Sequence, residues 1–484
     1  MPVTTRSFDV IVVGAGPAGE VAAGKLAGRG FATALIEREL VGGECSFYAC
    51  MPSKALLRPG ELAEETHRVP GVSDASIETI AALRRRDQVI HDLDDSGQLP
   101  WVEDKGIELI RGDARFEGER RLRVTTTEGE ELLLEARRAV VIAVGSASAI
   151  PPIPGLAELE PWTNREITTA RQVPPRLLIL GGGVVGVEMA QAWSSFGAQV
   201  TLVEAGPRLI AQEEELASEQ VTASLRAHGV DVRTGVRATG ARRDQGDATS
   251  VLTLEDGEEL RAEVLVVAAG RKPRTDGLGL ETIGLEPGRP VTVDEHLQVP
   301  GRDWLYAIGD CNGRELLTHQ GKLQARVATA HIAGDHAAAL LPIGPPPRVI
   351  FCEPQVAAVG HTLATARRAG VDAAVVDARL DKTAAASFHG KGVEQHVRFV
   401  VDPARRILIG ATFVAPDVAE FVHAASIAVA GEVSLDRMAQ VAAPFPTRSE
   451  VWLQLADWAE QHGAGSAAGG SKVDAAAAGD EADR

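Results

Sequence analysis

The chain has 484 residues, of which 45% are hydrophobic and 24% charged, so two to four domains with substantial cores are expected. Its formal net charge of −18 argues against a nucleic-acid backbone or an anionic membrane surface as a partner. The sequence has no apolar run approaching the roughly 18–20 residues of a membrane span, and four cysteines are too few for a secreted disulfide scaffold. These features predict a cytoplasmic protein.

Two segments of the chain are near copies of one unit. Each predicts an apolar strand, a GxGxxG turn, a helix and a second strand that ends in a glutamate. The units contain Gly14, Gly16, Gly19 and Glu37 in the first copy and Gly181, Gly183, Gly186 and Glu204 in the second. The glycines permit a tight turn, close approach of a pyrophosphate and close packing of the helix, and the carboxylate accepts hydrogen bonds from a ribose. The repeated spacing predicts two dinucleotide sites rather than two glycine-rich turns.

The intervening segments predict nested domains. Runs of β-branched residues end at Gly145, Gly270 and Gly309. Residues 118–135 alternate between polar and apolar, as the strands of an antiparallel meander would. Two helices are predicted between Ser53 and about Asp95. From about residue 346 the pattern becomes that of an α+β domain, and the last 20 or so residues are of low complexity and predicted to be disordered.

With these features in place, the chain resembles the flavin-dependent pyridine nucleotide–disulfide oxidoreductases, in layout the dihydrolipoamide dehydrogenase, glutathione reductase and mercuric reductase group. The resemblance covers about residues 7–460 and rests on "GAGPAG", "GGECSFYACMPSK", "GGGVVGVEMA", "IGD" and "PFPTRSE", which occur in the family's order. It implies an α/β fold with two Rossmann-like dinucleotide-binding domains and a C-terminal α+β dimerisation domain.

The resemblance also implies domain limits and a homodimer with shared active sites. The expected segments are an FAD-binding part with the cysteine pair (1–155), an NAD(P)-binding domain (156–285), a return to the FAD-binding domain (286–345), a dimerisation domain (346–463) and a disordered tail (464–484).

Two cofactors are implied by the same resemblance. FAD is expected in the first unit, with Glu37 on the adenosine ribose and Asp310 on the flavin side chain, and a nicotinamide nucleotide in the second. Glu204 would repel a 2′-phosphate and accept from a free 2′-hydroxyl, which favours NADH over NADPH, while Arg208 would soften that preference. The other predicted cofactor-binding residues are Gly43, Gly145, Gly309, Gly270 and Arg271.

The pair Cys45 and Cys50 is interpreted as a redox disulfide. An ideal helix would separate them by ~7.5 Å along its axis, whereas a disulfide needs Cα atoms within ~7 Å, so a bridge requires an irregular turn before the helix. Structural or free cysteines are the alternative, and zinc is disfavoured because no further ligand motif lies nearby. Cys311 and Cys352 are expected to be small buried residues rather than a second redox pair.

The resemblance assigns roles around this pair. Cys45 would be the interchange thiol that exchanges with substrate, and Cys50 the charge-transfer thiolate that contacts the flavin. Lys54 would lie near flavin N5 in an ion pair with Glu188; two solvated helix charges are the alternative.

One motif departs from the family pattern. The family's HPTxxE motif supplies, from the partner subunit, a histidine that protonates the leaving thiolate; here Phe445 stands in its place, and Glu450 is retained. Because a positioned acid–base contributes roughly 10²–10⁴ in rate, disulfide reduction should be slow unless a residue distant in sequence, such as His319, substitutes. The alternative for His319 is packing near the flavin.

The predicted function is electron transfer from NAD(P)H through FAD and the Cys45–Cys50 disulfide to a small-molecule disulfide or thiol. Four alternatives remain. The Phe-for-His change resembles 2-ketopropyl-coenzyme M oxidoreductase/carboxylase and its proton-excluding thiolate chemistry. A quinone or dye-like acceptor would need no proton at that position. Mercuric reduction is less supported, and a non-catalytic redox-sensing flavoprotein least.

Overall fold

The structure is a computed structural model that describes residues 4–244, 246, 249–390 and 394–462. The predicted disordered tail, 464–484, lies outside the described residues. Among the described residues, no helix combines the length and apolar character that crossing a membrane requires.

The N-terminal part forms a six-stranded sheet flanked by helices. Its elements are β1 (Thr4–Val13), α1 (Pro17–Ala27), β2 (Thr33–Glu37), α2 (Gly43–Phe47), α3 (Cys50–Arg68), α4 (Thr79–Val89), α5 (Leu99–Asp104), β3 (Glu108–Gly118), β4 (Arg121–Thr126) and β5 (Glu131–Ile142). Strand β1 lies between β2 and β5, parallel to both. Strands β3 and β5 extend beyond this parallel layer and pair antiparallel with β4. The predicted meander is therefore present but longer than expected, because its outer strands also belong to the parallel layer.

The two helices predicted after the cysteines are α3 and α4. Helix α3 begins at Cys50, three residues before the predicted start, so that the second cysteine occupies its first position. Helix α4 ends at Val89, where a short irregular segment with left-handed backbone at Asp92 takes over.

A second α/β domain comes next in the chain. Its elements are β6 (Ser146–Ser148), α6 (Asn164–Thr169), β7 (Arg176–Leu180), α7 (Val184–Ser195), β8 (Gln199–Glu204), α8 (Glu215–Ala227), β9 (Asp231–Thr234), β10 (Ala238–Arg243), β11 (Ser250–Leu254), β12 (Glu259–Ala262), β13 (Val264–Val267) and β14 (Arg271–Pro273). The parallel sheet has the order β13-β7-β8-β9, β10 to β12 form an antiparallel sheet, and β14 pairs with β6 where the chain crosses between domains.

The chain then returns to the first sheet and ends in an antiparallel domain. The elements are β15 (Leu305–Ala307), α9 (Thr318–Ile332), β16 (Arg348–Ile350), β17 (Gln355–Gly360), α10 (Leu363–Arg368), β18 (Ala374–Arg379), β19 (His396–Asp402), β20 (Ile407–Ala415), α11 (Phe421–Ala430), α12 (Leu435–Met438) and α13 (Val451–Gln461). Strand β15 pairs with β5. The last sheet has the order β16-β17-β20-β19-β18.

The two GxGxxG turns have the same backbone conformation. Gly14 and Gly181 adopt φ values of +101° and +115°, which L side chains rarely adopt, and each begins the turn after its strand. A Cβ atom at Gly19 would overlap the carbonyl oxygen of Gly14, and one at Gly186 would overlap that of Gly181. The third glycine thus lets each helix pack directly on its turn. The α/β fold with two dinucleotide-binding domains is confirmed.

Candidate active site

One large cavity, of about 720 Å³, lies between the first turn of α1, the cysteine segment, α7 and the start of α9. Both Rossmann-like domains contribute to its wall. The predicted site residues that line it are Gly14, Gly16, Glu37, Gly43, Cys45, Cys50, Lys54, Gly145, Glu188, Arg271, Gly309 and Asp310. Most of the residues predicted for FAD and for the redox centre are therefore brought together.

The part of the cavity beside α1 fits an extended dinucleotide. Space is open where a side chain at Gly16 would stand, so that a phosphate can approach the N-terminus of α1. Gly43 completes this cradle, since a Cβ there would lie 2.8 Å from the Cα of Gly16. The Glu37 carboxylate closes one end, accepting hydrogen bonds from the backbone N–H of Ala15 at 2.7 Å and of Glu39 at 2.8 Å.

The second repeat builds the same cradle at the start of α7. Space is again open at Gly183, and Glu204 accepts a hydrogen bond from the backbone N–H of Gly182 at 2.6 Å. These residues do not line the large cavity, but Val184 and Glu188, further along α7, do. A nucleotide on this cradle would thus lie next to the redox centre. Arg208 does not face Glu204: its Nη2 donates to the carbonyls of Ala211 and Glu213 at 2.7 and 3.0 Å.

The two cysteines are separated by a break in helical geometry. Helix α2 ends at Phe47 and α3 begins at Cys50, while Ala49 between them has φ −136° and ψ −96°. This is the irregular turn that the spacing requires if the sulfurs are to meet. Both thiols are free, and each shifts the pKa of the other, so the two side chains are close neighbours. Cys50 Sγ also lies 3.4 Å from Thr318 Oγ1, at the first position of α9.

The surroundings make the two thiols unequal. The hydrogen bond from Cys45 lowers the pKa of Cys50, and Thr318 and the positive charge of Lys54 lower it further, against the effect of burial. The same contact, together with burial, raises the pKa of Cys45. In the reduced pair these surroundings favour the thiol on Cys45 and the thiolate on Cys50.

Lys54 and Glu188 lie in contact beside this pair. Lys54 Nζ is 2.8 Å from Glu188 Oε2, and Glu188 is 3% exposed, so the two are not solvated surface charges. The other carboxylate oxygen accepts from the backbone N–H of Phe351 at 2.9 Å, and the Phe351 ring lies 4.8 Å from the Lys54 ammonium. These contacts hold the ammonium at the cavity wall.

Asp310 and Arg271 meet through Ser146. The Ser146 hydroxyl donates to Asp310 Oδ2 at 2.5 Å and accepts from Arg271 Nε at 2.7 Å. Arg271, the first residue of β14, thereby reaches back from the second domain to the first. The carbonyl of Gly270, just before it, accepts the backbone N–H of Ala149 at 2.9 Å.

Phe445 and Glu450 lie outside the cavity. Phe445 projects from the C-terminal domain and is 76% exposed, whereas Arg448 in the same loop is buried and donates to the carbonyls of Pro416 and Asp417 at 2.6 Å. Glu450 accepts from the backbone N–H of Ala384 at 3.2 Å. The loop is thus anchored with the phenyl ring pointing outwards.

No described residue lining the cavity is a histidine. His319 is exposed, and its Nε2 donates to the Pro347 carbonyl at 2.7 Å. The neighbouring residue, Thr318, faces the thiols instead. Cys311 and Cys352 are fully buried and bond to different carbonyls, those of Ile142 and Ile308 for Cys311 and that of Pro354 for Cys352.

Sequence patterns did not indicate several polar residues of the site. Thr318, Ser146, Asn164, Arg165 and Arg274 line the cavity or contact its walls, yet they belong to segments without a recognisable motif. Only the folded chain brings them to the cysteines and Asp310.

Comparisons with known proteins agree with this geometry. The sequence profile of the pyridine nucleotide-disulphide oxidoreductases matches residues 8–337, and that of their dimerisation domain matches residues 346–456. The chain belongs to this family. Its members are enzymes that use FAD and NAD(P)H, and the match to the dimerisation domain indicates a homodimer.

Similar proteins include a mercuric reductase from Shigella flexneri, 32% identical over 92% of this chain and 80% of that protein. A dihydrolipoyl dehydrogenase from Chlorobaculum tepidum is 31% identical over 92% of this chain and 95% of that protein. Among solved structures, the Cu(II) complex of HOCl-induced flavoprotein disulfide reductase RclA from Escherichia coli has a TM-score of 0.82 at 24% identity, covering 94% of this chain and 99% of that one. LpdA from Mycobacterium tuberculosis gives the same TM-score, identity and coverage. At that identity the structures support the fold alone.

Proposed function

We propose that this oxidoreductase passes electrons from NADH, through FAD, to the Cys45–Cys50 pair and on to a low-molecular-weight disulfide, in a reducing compartment such as the cytoplasm. The observation that carries the proposal is the pair of Cys45 and Cys50 at the cavity wall, with Thr318 Oγ1 3.4 Å from Cys50 Sγ and the Lys54–Glu188 ion pair lining the same cavity. A buried structural pair would not need the adjacent ion pair.

The thiols would act in sequence on the substrate. Cys45 transfers its proton to Cys50 and, as the thiolate, attacks one sulfur of an external disulfide, forms a mixed disulfide and releases the first substrate thiolate, which takes the proton from Cys50. Cys50 thiolate then attacks Cys45 Sγ, closes the intramolecular bridge and releases the second. Each departing thiolate takes up a proton, and the two electrons consumed come from one NADH.

The cofactor sites correspond to the two cradles. When bound, FAD accepts hydride from the nicotinamide and delivers the electron pair to the disulfide. Glu37 would hold the adenosine ribose, Asp310 the flavin side chain, and Lys54, fixed by Glu188, would lie at the flavin. Glu204 at the second cradle favours the free ribose of NADH, and the bonding of Arg208 to its own loop removes the cation that would have softened this preference.

The C-terminal domain would complete the site of the partner subunit. Besides Phe445, its exposed large apolar side chains include Val441 at 70% and Ile427 at 59%, and burial in a homodimer interface accounts for such exposure. In that arrangement Phe445 and Glu450 approach the partner's Cys45 in place of a histidine–glutamate pair.

A quinone or dye-like acceptor is the second candidate. The apolar Phe445, in the position of the family's histidine, favours it, because electrons passed directly from FAD need no proton donor at the interchange thiol. The same residue suits proton-excluding thiolate chemistry of the 2-ketopropyl-coenzyme M carboxylase type.

Steady-state turnover with NADH separates these candidates. Wild type, Cys45→Ser and, as a control away from the cavity, Cys352→Ala would be assayed with glutathione disulfide, lipoamide and a benzoquinone. Loss of disulfide turnover in Cys45→Ser alone supports the proposal. Undiminished quinone turnover in Cys45→Ser, with no disulfide turnover in wild type, assigns the second candidate.

A further inference from the structure

Helix α6 contacts the segment that carries the two cysteines, and the proposed reaction does not use this helix. Asn164, its first residue, is 5% exposed. Its side-chain Nδ2 donates to Glu44 Oε2 and to the backbone carbonyl of Tyr48, both at 2.9 Å. Its Oδ1 accepts from the Ser148 hydroxyl at 2.8 Å, so the orientation of the amide is fixed.

Two further residues of α6 hold the same segment. Arg165 Nε donates to Glu44 Oε1 at 2.6 Å, and its guanidinium carbon lies 4.5 Å above the centre of the Tyr48 ring. Thr168 Oγ1 lies 3.1 Å from the Tyr48 carbonyl oxygen. Three neighbouring side chains of α6 therefore hold Glu44 and Tyr48, and Arg274 Nη2 donates to the same Glu44 oxygen at 2.7 Å.

Helix α6 is itself fixed at both ends, although it has only six residues. A capping box closes its N-terminus, with the Glu166 carboxylate accepting from the Thr163 backbone N–H at 2.7 Å. At its C-terminal end the fully buried Arg86 of α4 donates to the carbonyls of Thr168 and, at 2.8 Å, Ala170. The contacts of α6 with Glu44 and Tyr48, called the clamp below, are therefore made by a helix that is fixed at both ends.

Glu44 and Tyr48, the residues held by α6, control the distance between the sulfurs of Cys45 and Cys50. Glu44 precedes Cys45 in α2, and Tyr48 lies in the break between α2 and α3. The Tyr48 carbonyl is satisfied by side chains because the break removes it from both helices. Fixing Glu44 and Tyr48 relative to one rigid support fixes where α2 ends relative to the first turn of α3.

We propose that Asn164 and Arg165 are positioning residues for the thiol pair: by clamping Glu44 and Tyr48 they hold Cys45 and Cys50 in mutual contact. The inference rests on the proposed function only in that the pair is redox-active. It makes α6, which directly precedes the second nucleotide-binding sheet, a mechanical link between that domain and the cysteines.

The test is the reactivity of the reduced pair in the FAD-loaded protein. Asn164→Asp keeps the shape of the side chain but turns the Nδ2 donor into an acceptor facing the Glu44 carboxylate and the Tyr48 carbonyl. Alkylation by iodoacetamide would be followed against pH, and the dithiol–disulfide equilibrium would be measured in dithiothreitol buffers. We expect the thiolate fraction at neutral pH to fall about tenfold and the equilibrium constant to shift at least fivefold.

Controls separate positioning from general stability. Glu166→Gln removes a charge from the same helix but keeps its capping box, which accepts either Glu or Gln, and does not touch the cysteine segment, so it should match wild type in both measurements. Arg165→Ala should reproduce the effect of Asn164→Asp, and Arg165→Lys should restore part of it. Should Asn164→Asp fail to fold, the two Arg165 variants carry the test.

Folded Asn164→Asp and Arg165→Ala proteins with wild-type alkylation profiles and equilibria would overturn the inference. An equal shift in Glu166→Gln would also overturn it, because that variant leaves the contacts with Glu44 and Tyr48 in place. Both measurements report on the thiols whatever the physiological substrate, so failure of the proposed function leaves this result interpretable.

Discussion

In both Rossmann-like repeats the glutamate at the end of the second strand bonds to the GxGxxG turn in the same way, whereas the segments that follow the glutamate differ. Glu37 accepts the N–H of Ala15, inside the first GxGxxG turn, and Glu204 accepts that of Gly182, inside the second. Each glutamate also accepts the N–H two residues further along the chain. The two repeats thus hold their GxGxxG turns with the same pattern of hydrogen bonds.

The repeats differ in the segment after each glutamate. After Glu37 the chain passes through Gly43 into the short helix that carries Cys45, and the cavity opens there. After Glu204 it enters a loop in which Arg208 bonds to neighbouring carbonyls. The comparison teaches that the geometry of the turn is common to both repeats, whereas the cysteine pair belongs to a segment that follows only the first.

The largest expected effect concerns chemistry that only the first repeat carries. Phe445→His restores a proton donor to the partner's Cys45 and should raise disulfide turnover by roughly 10²–10⁴. Steady-state kcat/KM with lipoamide and glutathione disulfide would measure it, with Val441→His, elsewhere on the exposed apolar surface, as the control. No gain in a properly dimeric Phe445→His protein would contradict the placement of Phe445 at the active site.

Replacing the third glycine of each repeat tests whether the two repeats bind different nucleotides. In Gly19→Ala and Gly186→Ala the new methyl group meets a backbone oxygen; overpacking of this kind costs about 1–3 kcal/mol of folding stability, and it should displace the turn that faces the nucleotide. Gly19→Ala should lose bound FAD, while Gly186→Ala should keep its FAD and show a raised KM for NADH. Flavin absorbance and steady-state kinetics measure the two effects, and the opposite pattern would reverse the assignment of the repeats.

Nucleotide choice should depend on the second glutamate. Glu204→Ser removes the charge that repels a 2′-phosphate, and we expect kcat/KM for NADPH relative to NADH to rise about tenfold, equivalent to about 1.4 kcal/mol. Arg208→Ala should change this ratio little, because Arg208 is engaged by carbonyls. A larger effect in Arg208→Ala than in Glu204→Ser would contradict the NADH preference.

The smallest expected effect is on the charge of Cys50. Its folded-state pKa is lowered, so the thiolate should persist below the ordinary thiol pKa of about 8.5 and disappear only as the pH falls through the lowered value. Lys54→Gln removes a charge that lowers this pKa, so the transition should move to higher pH, by up to about one unit. The pH dependence of thiolate absorbance near 240 nm measures the shift; Lys382→Gln, on the C-terminal domain, should leave it unchanged.

Local patterns in the sequence predicted the two repeats and their turns, and the family resemblance implied the rest of the fold and most of the site. The glycine spacing predicted both nucleotide-binding turns. The five-residue spacing of the cysteines predicted, for a bridged pair, the break that lies at Ala49. Such features depend on neighbours along the chain, where propensity and steric limits act directly.

Contacts between distant segments could not be predicted in this way. Thr318 reaches Cys50 only because β15 returns to the first sheet and directs α9 towards the cysteines. Asn164 reaches Tyr48 only because α4 supports the linker that precedes the second sheet. Neither residue stands out in the sequence, since a single threonine or asparagine is common in any loop or helix start.

The most direct test of the central claim is an anaerobic titration of the FAD-loaded protein with NADH, followed by visible absorbance. If Cys50 is the thiolate next to the flavin, a long-wavelength band should appear after two electrons, and it should be absent in Cys50→Ser. Complete bleaching of the flavin with no such band would show that the cysteines are bypassed and would contradict the account.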